Sequence, residues 1–333
     1  MQQQRKQAPR ITRLWLLAGA VIVLVTTWAP PTFAQVPPRF YWKTLSGANA
    51  VPVIFMTMNG NANPIDPAHT VIRGANIEAT VAPAGYARTF TLFDRAAMVA
   101  VLVPMGRISG EATIFGTTFR QSASGFGDPL VEFDVNVIGK KAIKNLPDLL
   151  RYEPGFSADL LVDVAVPLGE YDNDQPLNIG QNRWYGRVAS PIVWQLGKWV
   201  PGKRTTLEFL PSLWLFGDND DFVGHTMKTD PMVQVEGHLT RDFAKHVWGS
   251  LDGTWITGGK ATIDGVAGDD LNNIGVGYTL GYQINDNLSA TAGYMATVNA
   301  SDPGDLQLDG FRFSVVFGWH PLIEGMKRLG GGE

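Results

Sequence analysis

The stretch Ile274-Gly275-Val276-Gly277-Tyr278-Thr279-Leu280-Gly281-Tyr282-Gln283-Ile284 decides the fold. Ile274, Val276, Tyr278, Leu280, Tyr282 and Ile284 fall on one parity, and Gly275, Gly277, Thr279, Gly281 and Gln283 on the other. A period of two places these sets on opposite faces of an extended strand, whereas a helix needs a period of about 3.6. After Asn285-Asp286-Asn287 the pattern resumes, with Leu288, Ala290, Ala292, Tyr294, Ala296 and Val298 opposing Ser289, Thr291, Gly293, Met295 and Thr297. Outward from this hairpin, Phe311, Phe313, Val315, Phe317 and Trp319 oppose Arg312, Ser314, Val316 and Gly318. Upstream, Val131, Phe133, Val135 and Val137 oppose Glu132, Asp134 and Asn136.

The same reading gives twelve strands, at about 72–81, 92–103, 111–119, 128–138, 156–166, 183–196, 205–216, 230–240, 247–257, 272–284, 288–298 and 308–319. Most are about twice the ~5–6 residues of a soluble strand and match the ~9–11 of a tilted membrane strand. Trp184 and Trp194 share a face ten residues apart. At ~3.3 Å per residue and ~45° tilt they are roughly 23 Å apart along the normal, close to the aromatic-girdled apolar band of ~25 Å in outer-membrane barrels. The opposite face is rich in Gly, Ser, Thr and charge. The connections alternate short and long: 104–110, 139–155, 197–204, 241–246 and 285–287 read as periplasmic turns, and 82–91, 120–127, 167–182, 217–229, 258–271 and 299–307 as outer loops, with 139–155 a long exception that has room for a short helix. The fold class is therefore all-β, a transmembrane antiparallel β-barrel of about twelve strands over residues 71–320. Arg312-x-Ser314-x-x-Phe317-x-Trp319 is similar to the terminal-strand pattern read by the barrel-assembly machinery, and Trp319 joins Trp184 and Trp194 as an interface aromatic.

Composition agrees. Charged residues are 17% of the 333, mean hydropathy is -0.01 and Gly numbers 37. The absence of cysteine excludes disulfides, thiolate metal sites and cysteine nucleophiles. Residues 1–34 carry Arg5, Lys6, Arg10 and Arg13 and no acid, then an apolar run of 12 from Leu14 to Val25. A basic start, a short apolar core and a cut after Ala34 read as a secretory signal peptide. Without it the chain has 23 bases against 31 acids, which argues against a nucleic-acid partner. Residues 35–70 are Pro-, Asn- and Gly-rich and read as an irregular segment; the sequence leaves open whether it lies inside the barrel as a plug or beneath it. Residues 321–333 read as a periplasmic tail.

Gly125-Phe126-Gly127-Asp128-Pro129, Pro167-Leu168-Gly169-Glu170-Tyr171, Asn178-Ile179-Gly180-Gln181-Asn182-Arg183-Trp184, Trp214-Leu215-Phe216-Gly217-Asp218-Asn219-Asp220 and Trp248-Gly249-Ser250-Leu251-Asp252 occur in this order. Together they resemble the transporter-like proteins named for the meta-pathway of phenol degradation, over about residues 70–320. The resemblance implies an outer-membrane barrel passing hydrophobic compounds. It carries no catalytic residues.

Glu132, Asp134, Asp159, Asp163, Arg187, Glu208, Glu236, His238, Asp252 and Arg312 take the parity opposite the apolar one. Lipid-facing charge at mid-membrane costs up to ~2–4 kcal/mol, so they are expected in the lumen. They either line a substrate path or brace the barrel, and Arg187 with Glu208 is the expected bracing pair. Asp218, Asp220 and Asp221 offer oxygen ligands to calcium but lack EF-hand spacing, and a solvated turn is the plainer reading. His238 and Ser250 on adjacent strands leave an outer-membrane lipid hydrolase as one alternative, and a structural or adhesion barrel as another. The reading is passive uptake of small hydrophobic or aromatic solutes across the bacterial outer membrane, in contact with its lipid, with no catalysis and no cofactor.

Overall fold

A computed structural model describes residues 36–114 and 117–330 of the chain. The expected signal peptide lies outside the described residues.

Twelve antiparallel staves close into a barrel. The first is β1 (Asn49–Gly60). The next three are each interrupted: β2 (Ala75–Val81) continues as β3 (Ala84–Leu92), β4 (Arg95–Val103) as β5 (Met105–Ile114), and β6 (Thr117–Phe126) as β7 (Leu130–Ile138). Then come β8 (Phe156–Ala165), the broken stave β9 (Tyr185–Ala189) and β10 (Ile192–Gln195), and β11 (Thr205–Phe216). Two short strands from the following loop, β12 (Asn219–Phe222) and β13 (His225–Thr229), precede β14 (Met232–Asp242) and β15 (Val247–Gly258). The short β16 (Ala261–Ile263) and β17 (Val266–Ala267) precede β18 (Leu271–Gln283), β19 (Leu288–Thr297) and β20 (Leu308–Trp319). β20 pairs with β1 from Asn49↔Trp319 to Gly60↔Leu308, which closes the sheet on itself, while β6 pairs with β5. The strands β12, β13, β16 and β17 form a separate sheet at the loop end of the barrel.

The strand number agrees with the sequence reading, but the first staves are redrawn. Residues 49–60, expected to be irregular, form β1. Both of its faces are apolar: Val51, Val53 and Phe55 point outward, while Ile54, Met56 and Met58 point inward, so no alternation shows. The expected strands 92–103 and 111–119 belong to a single stave and the hairpin after it. Residues 104–110, read as a turn, and 120–127, read as a loop, lie largely within β5 and β6. The breaks fall at Pro83, Pro104 and Asp128-Pro129, where proline cannot donate to the ladder. Neighbours bridge them: Ala82 N–H donates to the Met105 carbonyl (2.7 Å) and Gly127 N–H to that of Pro104 (2.8 Å). Beyond the breaks the outward face turns polar, with Glu78 and Thr80 on β2, Arg107 and Glu111 on β5, and Arg120 and Ser124 on β6. No lipid-facing apolar parity survives there.

The turn after β7 contains α1 (Leu146–Leu150), capped by the Asn145 side chain on the Asp148 N–H (2.9 Å). The chain after β20, read as a tail, forms α2 (Pro321–Gly330). His320 fixes its start by accepting from the Leu322 N–H (3.1 Å).

The barrel lumen as candidate functional site

The register of β7 and β8 sets the pattern of the lumen. Glu132 is opposite Asp163, and Asn136 opposite Asp159, with Phe133↔Val162 and Val135↔Leu160 between them on the outer face. All ten charged residues selected by parity point inward. Nine are buried and Arg312 is half-buried. Trp184 and Trp194 stand on the outer surface, 57% and 51% exposed, and Trp319 stacks on Phe317 (5.6 Å) beside Tyr86 (6.4 Å).

The lumen at the end opposite the long loops is filled by residues 36–48. The segment enters through a tight turn in which Arg39 has a left-handed backbone (φ 69°). Val36 N–H donates to Glu236 (2.9 Å), Arg39 N–H and Trp42 Nε1–H to Glu208 (both 2.8 Å), and the Tyr41 hydroxyl to Glu132 (3.3 Å). The Arg39 guanidinium meets Asp242 (2.7 Å) and lies between the Trp42 and Trp248 rings (4.3 Å each). Lys43 pairs with Asp159 and is 3.8 Å from Asp134. Val36 and Tyr41 pack on Leu161, Ala189 and Leu210 of the wall. Leu45 bridges to Ile143, and Ser46 N–H bonds the Ile143 carbonyl (2.8 Å), so the turn after β7 also grips the segment. Burying carboxylates without partners costs several kcal/mol each. Here the missing donors and cations come from a segment outside the wall.

Arg187 organises the middle of the lumen. Its Nε meets Asp163 (2.6 Å), its other nitrogens approach Glu236 (3.5 Å) and Glu132 (4.0 Å), and it lies over the Trp214 ring (5.0 Å). The expected Arg187–Glu208 pair does not form. Arg187 is opposite Trp214 while Glu208 is opposite Val193, six residues further along β11. Glu208 serves Arg39, Trp42 and Thr206 instead.

His238 Nδ1 meets Asp252 (2.8 Å), and Asp252 also accepts from Thr279 (2.6 Å) and Ser250. The Ser250 hydroxyl is thus directed at the carboxylate rather than the imidazole. That geometry lacks the nucleophile–base contact of a hydrolase. It braces three adjacent strands.

The loop-end half contains two apolar clusters. Met232, Ile256, Leu271, Leu306 and Leu308 cluster with Trp214 and Ala62, and Ile77, Ile108, Leu177 and Ile179 form a second cluster. Residues 61–74 tuck into this end. Asp66 there accepts both hydrogen bonds of a buried pair from Arg183 Nη2 (2.9 and 2.8 Å), and Arg183 also meets Thr229 (2.7 Å). His69, buried in the same loop, has its imidazole pushed down to about 4 by burial, against the pull of Asp66. The calcium candidates are separately engaged: Asp218 pairs with Lys228 (2.6 Å), Asp221 accepts from Asn173 (2.6 Å), and Asp220 stands on β12.

Arg39, Tyr41, Trp42 and Lys43 are the site residues that parity could not select, since they lie outside any strand. Their signal is compositional: inward acids outnumber inward bases, so cations must come from elsewhere.

The sequence profile of the family described as "Putative MetA-pathway of phenol degradation" matches residues 62–315. Among solved structures, an outer membrane channel from Pseudomonas putida F1 is 18% identical, with 86% of this chain and 100% of that one covered and a TM-score of 0.68. The transport unit of the autotransporter AIDA-I from Escherichia coli is 8% identical over 86% and 93% of the two chains, with a TM-score of 0.45. No curated protein sequence matches.

Proposed function

The chain belongs to the family of the MetA-pathway of phenol degradation, and from that premise we propose that it passes small hydrophobic or aromatic compounds passively across the bacterial outer membrane. The observation that supports this most is the two-part lumen. Its loop-end half holds two clusters of apolar side chains packed with residues 61–74, a chemistry that suits an apolar solute. Its other half is closed by residues 36–48, which are held by side-chain contacts and can withdraw without breaking a barrel strand. Neither His238 nor Ser250 is arranged for catalysis, so the reading is a channel and not an enzyme.

The test is uptake in a deletion strain with no other barrel to compensate. Neutral phenols at low external concentration should enter more slowly, while sugars enter at the unchanged rate. Equal uptake of phenols with and without the protein would leave a structural barrel as the reading.

A further inference from the structure

Around Lys43 the lumen holds more carboxylate than cation. Glu132, Asp134 and Asp159 come together from β7 and β8 and are all buried (7%, 3% and 4% exposed). Arg187 is engaged by Asp163 and reaches Glu132 only at 4.0 Å. Lys43 is the cation set between Asp134 and Asp159. Even so, Glu132 Oε1 and Asp134 Oδ2 are buried with no hydrogen-bond partner. Aromatic rings border the place: Tyr41 touches Glu132, Phe40 lies edge-on to Tyr41 (5.0 Å), and Trp42 follows.

We propose that this cluster is an ammonium-binding site for amine-bearing apolar solutes, occupied in this structure by the chain's own Lys43. The proposal rests on the transport reading. A lysine ammonium and a protonated primary amine present the same three donors and the same charge. When the segment withdraws, its cation leaves with it, and buried carboxylates without a counter-charge are costly. A solute that brings an ammonium on an aromatic or aliphatic body restores the pairing; Phe40, Tyr41 and Trp42 leave with the segment, so charge alone sets the preference. A neutral solute restores nothing, and an anion adds repulsion. The loop end favours the same class, since Asp172, Asp174, Asp220, Asp269, Asp270 and Asp302 lie in its connections and raise the local concentration of cations.

The test compares outer-membrane uptake of phenethylamine, protonated at pH 7, with that of 2-phenylethanol, in a deletion strain with and without the full-length protein. The protein should speed the amine more than the alcohol, by on the order of tenfold, the factor of a single modest charge interaction. Asp134→Asn with Asp159→Asn should bring the amine to the alcohol's rate, with a folded barrel verified by heat-modifiable migration. Lys43→Met, which removes the resident competitor and keeps the carboxylates, should raise amine uptake and guards against misfolding of the double variant. Faster alcohol with no advantage for the amine would overturn the ammonium site and leave the transport reading standing. If neither solute is accelerated, both fall.

Discussion

The Arg39 guanidinium lies 2.7 Å from the Asp242 carboxylate, across 203 residues of sequence, and ties the start of the described chain to the wall of the barrel. Arg204 Nε meets the other Asp242 oxygen, also at 2.7 Å. The two guanidinium groups share one carboxylate and flank the Trp42 ring, at 4.3 and 5.2 Å. Arg39→Gln should therefore loosen residues 36–48 without unfolding the barrel, because Asp242 keeps Arg204. The loss in segment docking should be about 2–3 kcal/mol, at or below the lower end for a broken buried pair. Faster protease cleavage within 36–48, with unchanged heat-modifiable migration of the barrel, is the expected result. Asp242→Asn strands both guanidinium groups and should cost more.

At the loop end, Asp66 is the charged partner of a fully buried side chain, Arg183 (side chain 0% exposed). Asp66→Ala should be strongly destabilising, by about 3–5 kcal/mol, because it leaves a guanidinium in an apolar setting. The double change Asp66→Leu with Arg183→Met should recover much of that loss. Denaturant unfolding of the refolded barrel followed by tryptophan fluorescence reads both, and equal stability of the single and double variants would contradict the assignment.

His69 makes the same loop pH-sensitive. Its imidazole is held at about 4 when docked, against 6.5 when free, chiefly by burial. Between these values the undocked state binds a proton that the docked state does not, so docking weakens as the pH falls through the window. From pH 7 to pH 5 the loss is about 2 kcal/mol. Amide hydrogen exchange across residues 61–74 should show lower protection at pH 5, after correction for the intrinsic rate. His69→Gln should flatten the dependence, and a flat profile in the unmodified protein would refute it.

The two faces of β18 and β19 give a topological test. Leu280 is on the outer face and 55% exposed, whereas Thr291 faces inward and shares a hydrogen bond with Ser314 (2.6 Å). Leu280→Asp should impair assembly, at a cost of up to about 2 kcal/mol in lipid, and Thr291→Asp should be tolerated. Gly277 is unsuited as the inward control, because a Cβ there would meet the Tyr294 carbonyl.

How much of this was legible in the sequence follows from where lipid is on one side and polar lumen on the other. From β7 to β20 the wall separates the two, so parity marks both strands and inward charges, and the ten charged residues follow from it. In β1 the inner face backs an apolar cluster, and the contrast vanishes. In β5 and β6 the outer face is polar, and it vanishes in the opposite sense. Pairing partners are set by register, which composition does not reveal, and Arg187 was therefore matched to the wrong acid. The lumen contacts of Arg39 and Lys43 follow from no periodicity at all. They come from the charge balance of the lumen, which shows only once the barrel is closed.

The central claim is that passage requires residues 36–48 to leave the lumen. The described chain has no cysteine, so a disulfide can be placed without competition. Leu45 and Ile143 form a β-bridge, and both are buried, which suits Leu45→Cys with Ile143→Cys. Uptake of a neutral phenol by cells carrying this variant should fall to the deletion-strain rate when the pair is oxidised and return on reduction. Uptake equally fast in the oxidised and reduced states would contradict the account.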